Sequence, residues 1–102
     1  MIKNTRLWEA VRALATAEGD VRHRVAIACE ILEAMHKSEL TEELGRRLDK
    51  VLKDAGKNGA LYNSNGQVVK GKYRNTITLR KNKTYKKLAE EIFRIYEEFN
   101  EN

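Results

Sequence analysis

Residues 16–25 read TAEGDVRHRV, and they interrupt what would otherwise be one long amphipathic helix. Whether they are the middle of that helix or a corner between two helices decides the fold. Gly19 can adopt the left-handed backbone that closes a helix at low cost. Asp20 is a preferred N-cap, because its carboxylate accepts the backbone N–H groups that the first helical turn leaves unpaired. Val21 then restarts the apolar stripe. The stretch therefore reads as a helix-loop-helix corner. Arg22, His23 and Arg24 project mostly away from the stripe, and Arg22 or Arg24 is expected to pair with Glu18 or Asp20 across the corner.

Outward from the corner, the apolar spacing marks four main helices. Leu7, Val11 and Leu14, flanked by Trp8 and Ala15, predict helix one over residues 5–17, with Asn4 or Thr5 as its cap. Val21, Val25, Ala28, Ile31, Leu32 and Met35 predict helix two over 21–37. Leu40, Leu44, Leu48, Val51 and Leu52 predict helix three over 41–55, capped by Thr41, with Glu42 and Glu43 where the helix dipole favours anions. Gly56 and Gly59 end it. Leu88, Ile92, Ile95 and Phe99 line one face of a last helix over 84–99, widened by Ala89, Phe93 and Tyr96, with Thr84 as its cap.

Residues 56–83 are less regular. GKNGALYNSNGQ is rich in Gly and Asn and reads as turn or loop. In QVVKGKYRNTITLRK, β-branched residues and an alternation at Ile77 and Leu79 suggest strand, while Val69, Tyr73 and Ile77 fit a helical spacing of four. The preferred reading is a loop with a short helical segment. The alternative is a short β-hairpin near 60–70, pairing 60–63 with 67–70 through a turn at Asn65-Gly66. The fold class expected is mainly all-α: one domain, 1–102, built as a small four-helix bundle with an irregular basic segment before the last helix.

Charge is distributed unevenly. Residues 1–66 carry eleven Lys/Arg and ten Asp/Glu and are nearly neutral. Residues 67–89 hold eight cations and no acid: Lys70, Lys72, Arg74, Arg80, Lys81, Lys83, Lys86 and Lys87. Such a segment can neutralise phosphates with release of counterions. Tyr73 and Tyr85 among the cations are able to stack on bases. These eight residues are the candidate nucleic-acid contacts. The opposing reading is a solvated surface whose Lys side chains pair with nearby Glu. Glu90, Glu91, Glu97 and Glu98 read as the solvated face of the last helix.

The corner and the start of the last helix also carry a resemblance. ALATAEGDVRHRV and RKNKTYKKLAEEIFRIY resemble a group of small bacterial proteins that share a LATGEGD-x-R corner and an R-N-x-T-x-x-K-I-A-E-x-I helix start. Residues 13–22 and 80–92 carry the match, with Leu88 where that group tends to have Ile. The resemblance covers about a third of the chain. It implies that the corner and the last helix belong to one structural unit, and it supplies no catalytic residue.

Several chemistries find no support. Cys29 borders the apolar stripe of helix two and reads as a small buried hydrophobe. As a single cysteine it forms no internal disulfide, which suits a reducing cytoplasm. Phosphate-cradling G-x-G-x-x-G and G-x-x-x-x-G-K-[ST] loops are absent, as is H-E-x-x-H. His23 and His36 with Cys29 form no familiar ligand spacing, so no metal or cofactor is expected. No apolar run is long enough to span a membrane, and the N-terminal MIKNTRLWEA lacks a signal-peptide core. The polar corner, Glu18, Asp20, Arg22 and His23, is expected to be structural, and no catalytic residue is assigned. The functional expectation is a cytoplasmic, non-enzymatic protein-interaction module. Its partner is another protein or a second copy in a homodimer, with Trp8, Tyr96 and Phe99 as contacts if exposed. The alternative is a nucleic-acid-binding accessory protein using 67–89. A catalytic use of Asp20, Arg22 and His23 ranks third.

Overall fold

The computed structural model of the chain describes residues 5–78 and 81–101. It is mainly helical, with four major helices, one short helix and a small hairpin. Helix α1 spans Thr5–Thr16 and α2 spans Val21–Glu33. A single 3-10 turn at Lys37–Glu39 leads into α3, Glu42–Ala55. Strands β1 (Leu61–Tyr62) and β2 (Val68–Lys70) pair antiparallel, and α4 (Lys72–Ile77) and α5 (Asn82–Glu101) complete the chain. Asn4, offered as a cap, and Arg80 and Leu79 lie outside the described residues.

The corner forms as its residues dictate. Gly19 has φ +98°, and a Cβ there would lie 2.9 Å from the Cβ of His23, so both backbone sign and space require glycine. Asp20 caps α2 and accepts the backbone N–H groups of Arg22 and His23. Thr41 caps α3 by accepting the N–H of Leu44 at 3.2 Å, and Glu42 and Glu43 occupy its first turn.

Two helix boundaries differ from the expected ones. α2 stops at Glu33 rather than at residue 37, because the chain tightens there: Met35 N–H bonds to the Leu32 carbonyl at 3.0 Å. The turn that follows keeps Met35 and Leu40 both in the core. α5 begins at Asn82, so Thr84 lies inside the helix and is not its cap.

Residues 56–83 contain both of the competing elements. Asn63 organises the turn, its Oδ1 accepting from the N–H of Asn65 at 2.9 Å and of Gln67 at 3.0 Å. Gly66 takes φ +78°. Leu61 pairs with Lys70 and Tyr62 with Val68, and the register slips between them, so Val69 has no cross-strand partner. The helical spacing of four holds for Tyr73 and Ile77, both buried in α4, but not for Val69, which is on β2 and exposed.

One core cluster joins the elements. Leu7 and Ala10 of α1 meet Val25, Ala28, Cys29 and Leu32 of α2. Leu44, Leu48 and Val51 of α3 and Tyr85, Ile92 and Ile95 of α5 close it, and Tyr73 and Ile77 bring α4 against α2. Burial of this apolar area, at about 25 cal/mol per Å², is the main stabilising term. No described helix is long and apolar enough to cross a membrane.

Candidate functional site

The polar corner closes on itself. Arg22 donates from Nε (3.2 Å) and Nη2 (3.0 Å) to Asp20 Oδ2, and His23 Nδ1 lies 3.2 Å from Asp20 Oδ1. The Arg22 hydrogen bonds, then those from His23, hold the Asp20 carboxyl far below the usual carboxylate range. A carboxylate with both oxygens engaged in this way is a poor proton acceptor. Arg22 Nη1 also reaches the Ile77 carbonyl of α4 at 3.4 Å, and Arg24 Nη1 reaches the Leu14 carbonyl of α1 at 3.3 Å. The two arginines thus lie across the helix junctions rather than out in solvent. Glu18 is exposed and makes no ion pair among the described residues. His23 is exposed, and no group of His, Cys, Asp and Glu among the described residues could hold a metal ion.

Cys29 is fully buried in α2. Burial, reinforced by Glu33 and Glu30, pushes its thiol up to about 12. It carries no thiolate at neutral pH and cannot serve as a nucleophile in the folded chain.

Seven of the eight basic residues are described, and two of these are held in ion pairs. Arg74 forks onto Glu30 of α2, Nε to Oε2 and Nη2 to Oε1, both at 3.1 Å. This pairing holds its guanidinium above the usual range. Lys72 pairs with Glu33, and its ammonium sits 5.2 Å from the centre of the Tyr73 ring. These two cations fasten α4 to α2. Lys81, Lys83, Lys86 and Lys87 are exposed at the N-terminal end of α5 and make no ion pair among the described residues. Lys70 is half-buried at the end of β2. Tyr73 and Tyr85 are buried in the core, so neither presents a ring to a base. The stacking role suggested by their place in the sequence is therefore not open to them.

The acids of α5 also divide. Glu91 and Glu98, expected on a solvated face, both receive Arg47 of α3, at 2.7 Å and 2.6 Å. Glu90 and Glu97 are exposed and unpaired among the described residues.

Exposed large apolar side chains gather in two places. On the helical body, Trp8 is 48% and Phe93 47% exposed, and Phe93 lines a shallow groove whose apolar side is Val11, Leu14, Ala15 and Ala89 and whose charged side is Glu90, Arg94 and Glu97. Of the three residues expected as contacts if exposed, Trp8 is exposed. Tyr96 and Phe99 are only half-buried against the core, and Phe93, expected to widen the buried face, is the exposed aromatic instead. The second place is the hairpin, where Leu61, Tyr62, Val68 and Val69 are all exposed, Tyr62 to 59% and Val69 to 60%. Sequence reasoning missed this surface. The signal was the absence of polar residues between neighbouring apolar ones: a strand that alternates covers a core with one face, whereas LY and VV put apolar groups on both faces.

The chain matches no family model, no curated protein and no solved structure.

Proposed function

We propose that this chain is a non-enzymatic protein-interaction module and that the β1–β2 hairpin is its contact arm. The observation that carries this reading is that four of the five strand residues are apolar and exposed. A two-stranded hairpin with neither face covered is marginal in water and gains stability from a third strand or a packed surface. Each of its two strands also has a free edge, whose N–H and C=O groups can pair with an extended segment of a partner. The base of the arm is fixed: Asn75 Nδ2 donates to the Gly59 carbonyl at 3.0 Å, and Asn58 N–H donates to Thr76 Oγ1 at 3.1 Å. A rigid base presents the arm without the entropy cost of ordering it on contact.

The test is affinity purification from the native host with the unaltered chain and with Tyr62→Ser/Val69→Ser. Neither side chain is in the core, so the variant keeps its helices. Proteins lost specifically with the variant are those the arm holds. An identical set from both chains refutes the arm as the contact element.

Nucleic-acid binding is the second reading, favoured by Lys83, Lys86 and Lys87 on the opening turns of α5 and Lys81 just before it, all unpaired among the described residues. Of the eight in the sequence, Lys72 and Arg74 are paired with Glu33 and Glu30, Lys70 is half-buried on β2, and Arg80 lies outside the described residues. Log affinity for duplex or single-stranded probes should then fall with log salt at a slope of about −2 to −4. The absence of any gel shift at low salt eliminates it.

A further inference from the structure

The exposed face of α5 beside α1 carries charges of alternating sign, Lys86, Glu90, Arg94 and Glu97, of which the last three line the groove. Lys86, Ala89, Phe93 and Glu97 recur at spacings of three and four, so they form one stripe along the helix. Lys86 and Glu97 are unpaired among the described residues, unlike Glu91 and Glu98, which Arg47 neutralises on another side of the helix. The stripe therefore begins at a cation and ends at an anion, with Glu90, the exposed Phe93 and Arg94 between them, so that end-for-end reversal sets Lys86 against Glu97 and Glu90 near Arg94. The two charges are separated by about 16 Å along the axis.

A surface with that layout is complementary to itself turned end for end. We propose that the α5 stripe, with the adjoining α1 groove, is the interface of a twofold homodimer in which the two α5 helices run antiparallel. With the axis passing between residues 91 and 92, Lys86 of each copy lies opposite Glu97 of the other. Phe93 then lies over the Ala89–Glu90 turn of the second copy, beside the groove lined by Val11, Leu14 and Ala15. A parallel pairing sets Lys86 against Lys86 and Glu97 against Glu97, and like-charge repulsion disfavours it. The interface is isologous, so it closes at two subunits. This inference does not depend on what the hairpin binds.

Sedimentation equilibrium at low salt tests it, on the unaltered chain, K86E, E97K and the double variant K86E/E97K. The unaltered chain should dimerise by hundreds of micromolar at the latest. Each single variant replaces two attractions by two repulsions and should weaken dimerisation by about tenfold or more. The double variant exchanges the charges and should restore it. The two single variants, each monomeric alone, should form a heterodimer when mixed, an outcome that damage to the fold cannot produce. Phe93→Ser should abolish dimerisation in every background, and Tyr62→Ser/Val69→Ser should leave it unchanged. A chain that stays monomeric overturns the dimer and leaves the arm standing. Dimers that survive both single variants, or that depend on the hairpin residues, overturn the antiparallel α5 interface.

Discussion

Replacing Thr76 by Val tests whether the root of the hairpin is held by a hydroxyl. Thr76 is the one buried polar residue among the described residues, with no exposed surface. Its Oγ1 donates to the Lys72 carbonyl at 2.8 Å and accepts the N–H of Asn58 at 3.1 Å. It thus joins the segment entering the hairpin to the helix leaving it. Thr76→Val keeps the volume and removes both bonds. The Lys72 carbonyl loses little, because an i to i−4 helical partner remains available to it. The Asn58 N–H loses its acceptor. A net hydrogen bond is worth about 0.5–1.5 kcal/mol, and a donor left dry costs about 1–3 kcal/mol. Asn58 is exposed, so water recovers part of the loss, and about 1–2 kcal/mol is the expected destabilisation. For a domain of this size each kcal/mol lowers Tm by about 4–8 °C. Thr76→Ser keeps the hydroxyl and removes a methyl group, at about 1 kcal/mol. Stability alone therefore separates the two variants poorly. Amide exchange at Asn58 separates them well: it should accelerate sharply in Thr76→Val and remain slow in Thr76→Ser. Unchanged exchange at Asn58 in Thr76→Val, with stability at or above that of the unaltered chain, refutes the role assigned to the hydroxyl.

Acid should weaken the corner. The folded Asp20 carboxyl is held below its ordinary value, so its stabilisation is complete above about pH 4 and fades as pH falls further; the Tm difference between the unaltered chain and Asp20→Asn should shrink in thermal melts over that range. His23→Ala should leave stability and any partner binding nearly unchanged, and a large loss of binding with the fold intact would contradict the structural reading of the corner. Cys29 should resist iodoacetamide at neutral pH and react only as urea unfolds the chain, because it is fully buried and burial pushes its thiol well above neutral pH. Arg47→Gln should cost about 1 kcal/mol or less, since its partners Glu91 and Glu98 are partly exposed, and the cost should diminish at high salt.

The fold was legible where a single residue type has one cheap use. Gly19 followed by Asp20 admits a corner and little else, and the structure uses both in the expected way. Thr41 before two glutamates and an apolar run likewise marks a helix start. Legibility failed where two weak preferences compete. Val69, Tyr73 and Ile77 share a spacing of four, but Gly71 interrupts it, so the first goes to a strand and the other two to a helix. Neither segment could be chosen from periodicity because each is shorter than the window over which periodicity is reliable. The helix-two boundary failed for a different reason. No Gly or Pro stops α2 at Glu33; the stop comes from the need to turn both Met35 and Leu40 inward, which is a tertiary requirement.

The candidate surfaces were less legible than the fold, and the reason lies in pairing. The sequence shows eight cations in one segment, but a linear chain does not reveal that Glu30 and Glu33 on α2 face two of them. Once Arg74 and Lys72 are fastened there, the basic segment ceases to be a single electrostatic feature. What remains is an α5 face that opens on lysines and runs through Glu90 and Arg94 to Glu97, all on one helix. The lysines occupy the turns where the helix dipole already disfavours them. A face that places cations against its own dipole at one end and exposes an aromatic at its middle is unfavourable alone. It becomes favourable when the acidic end of an antiparallel neighbour covers those turns, so the same arrangement that weakens the isolated helix specifies the orientation of its partner.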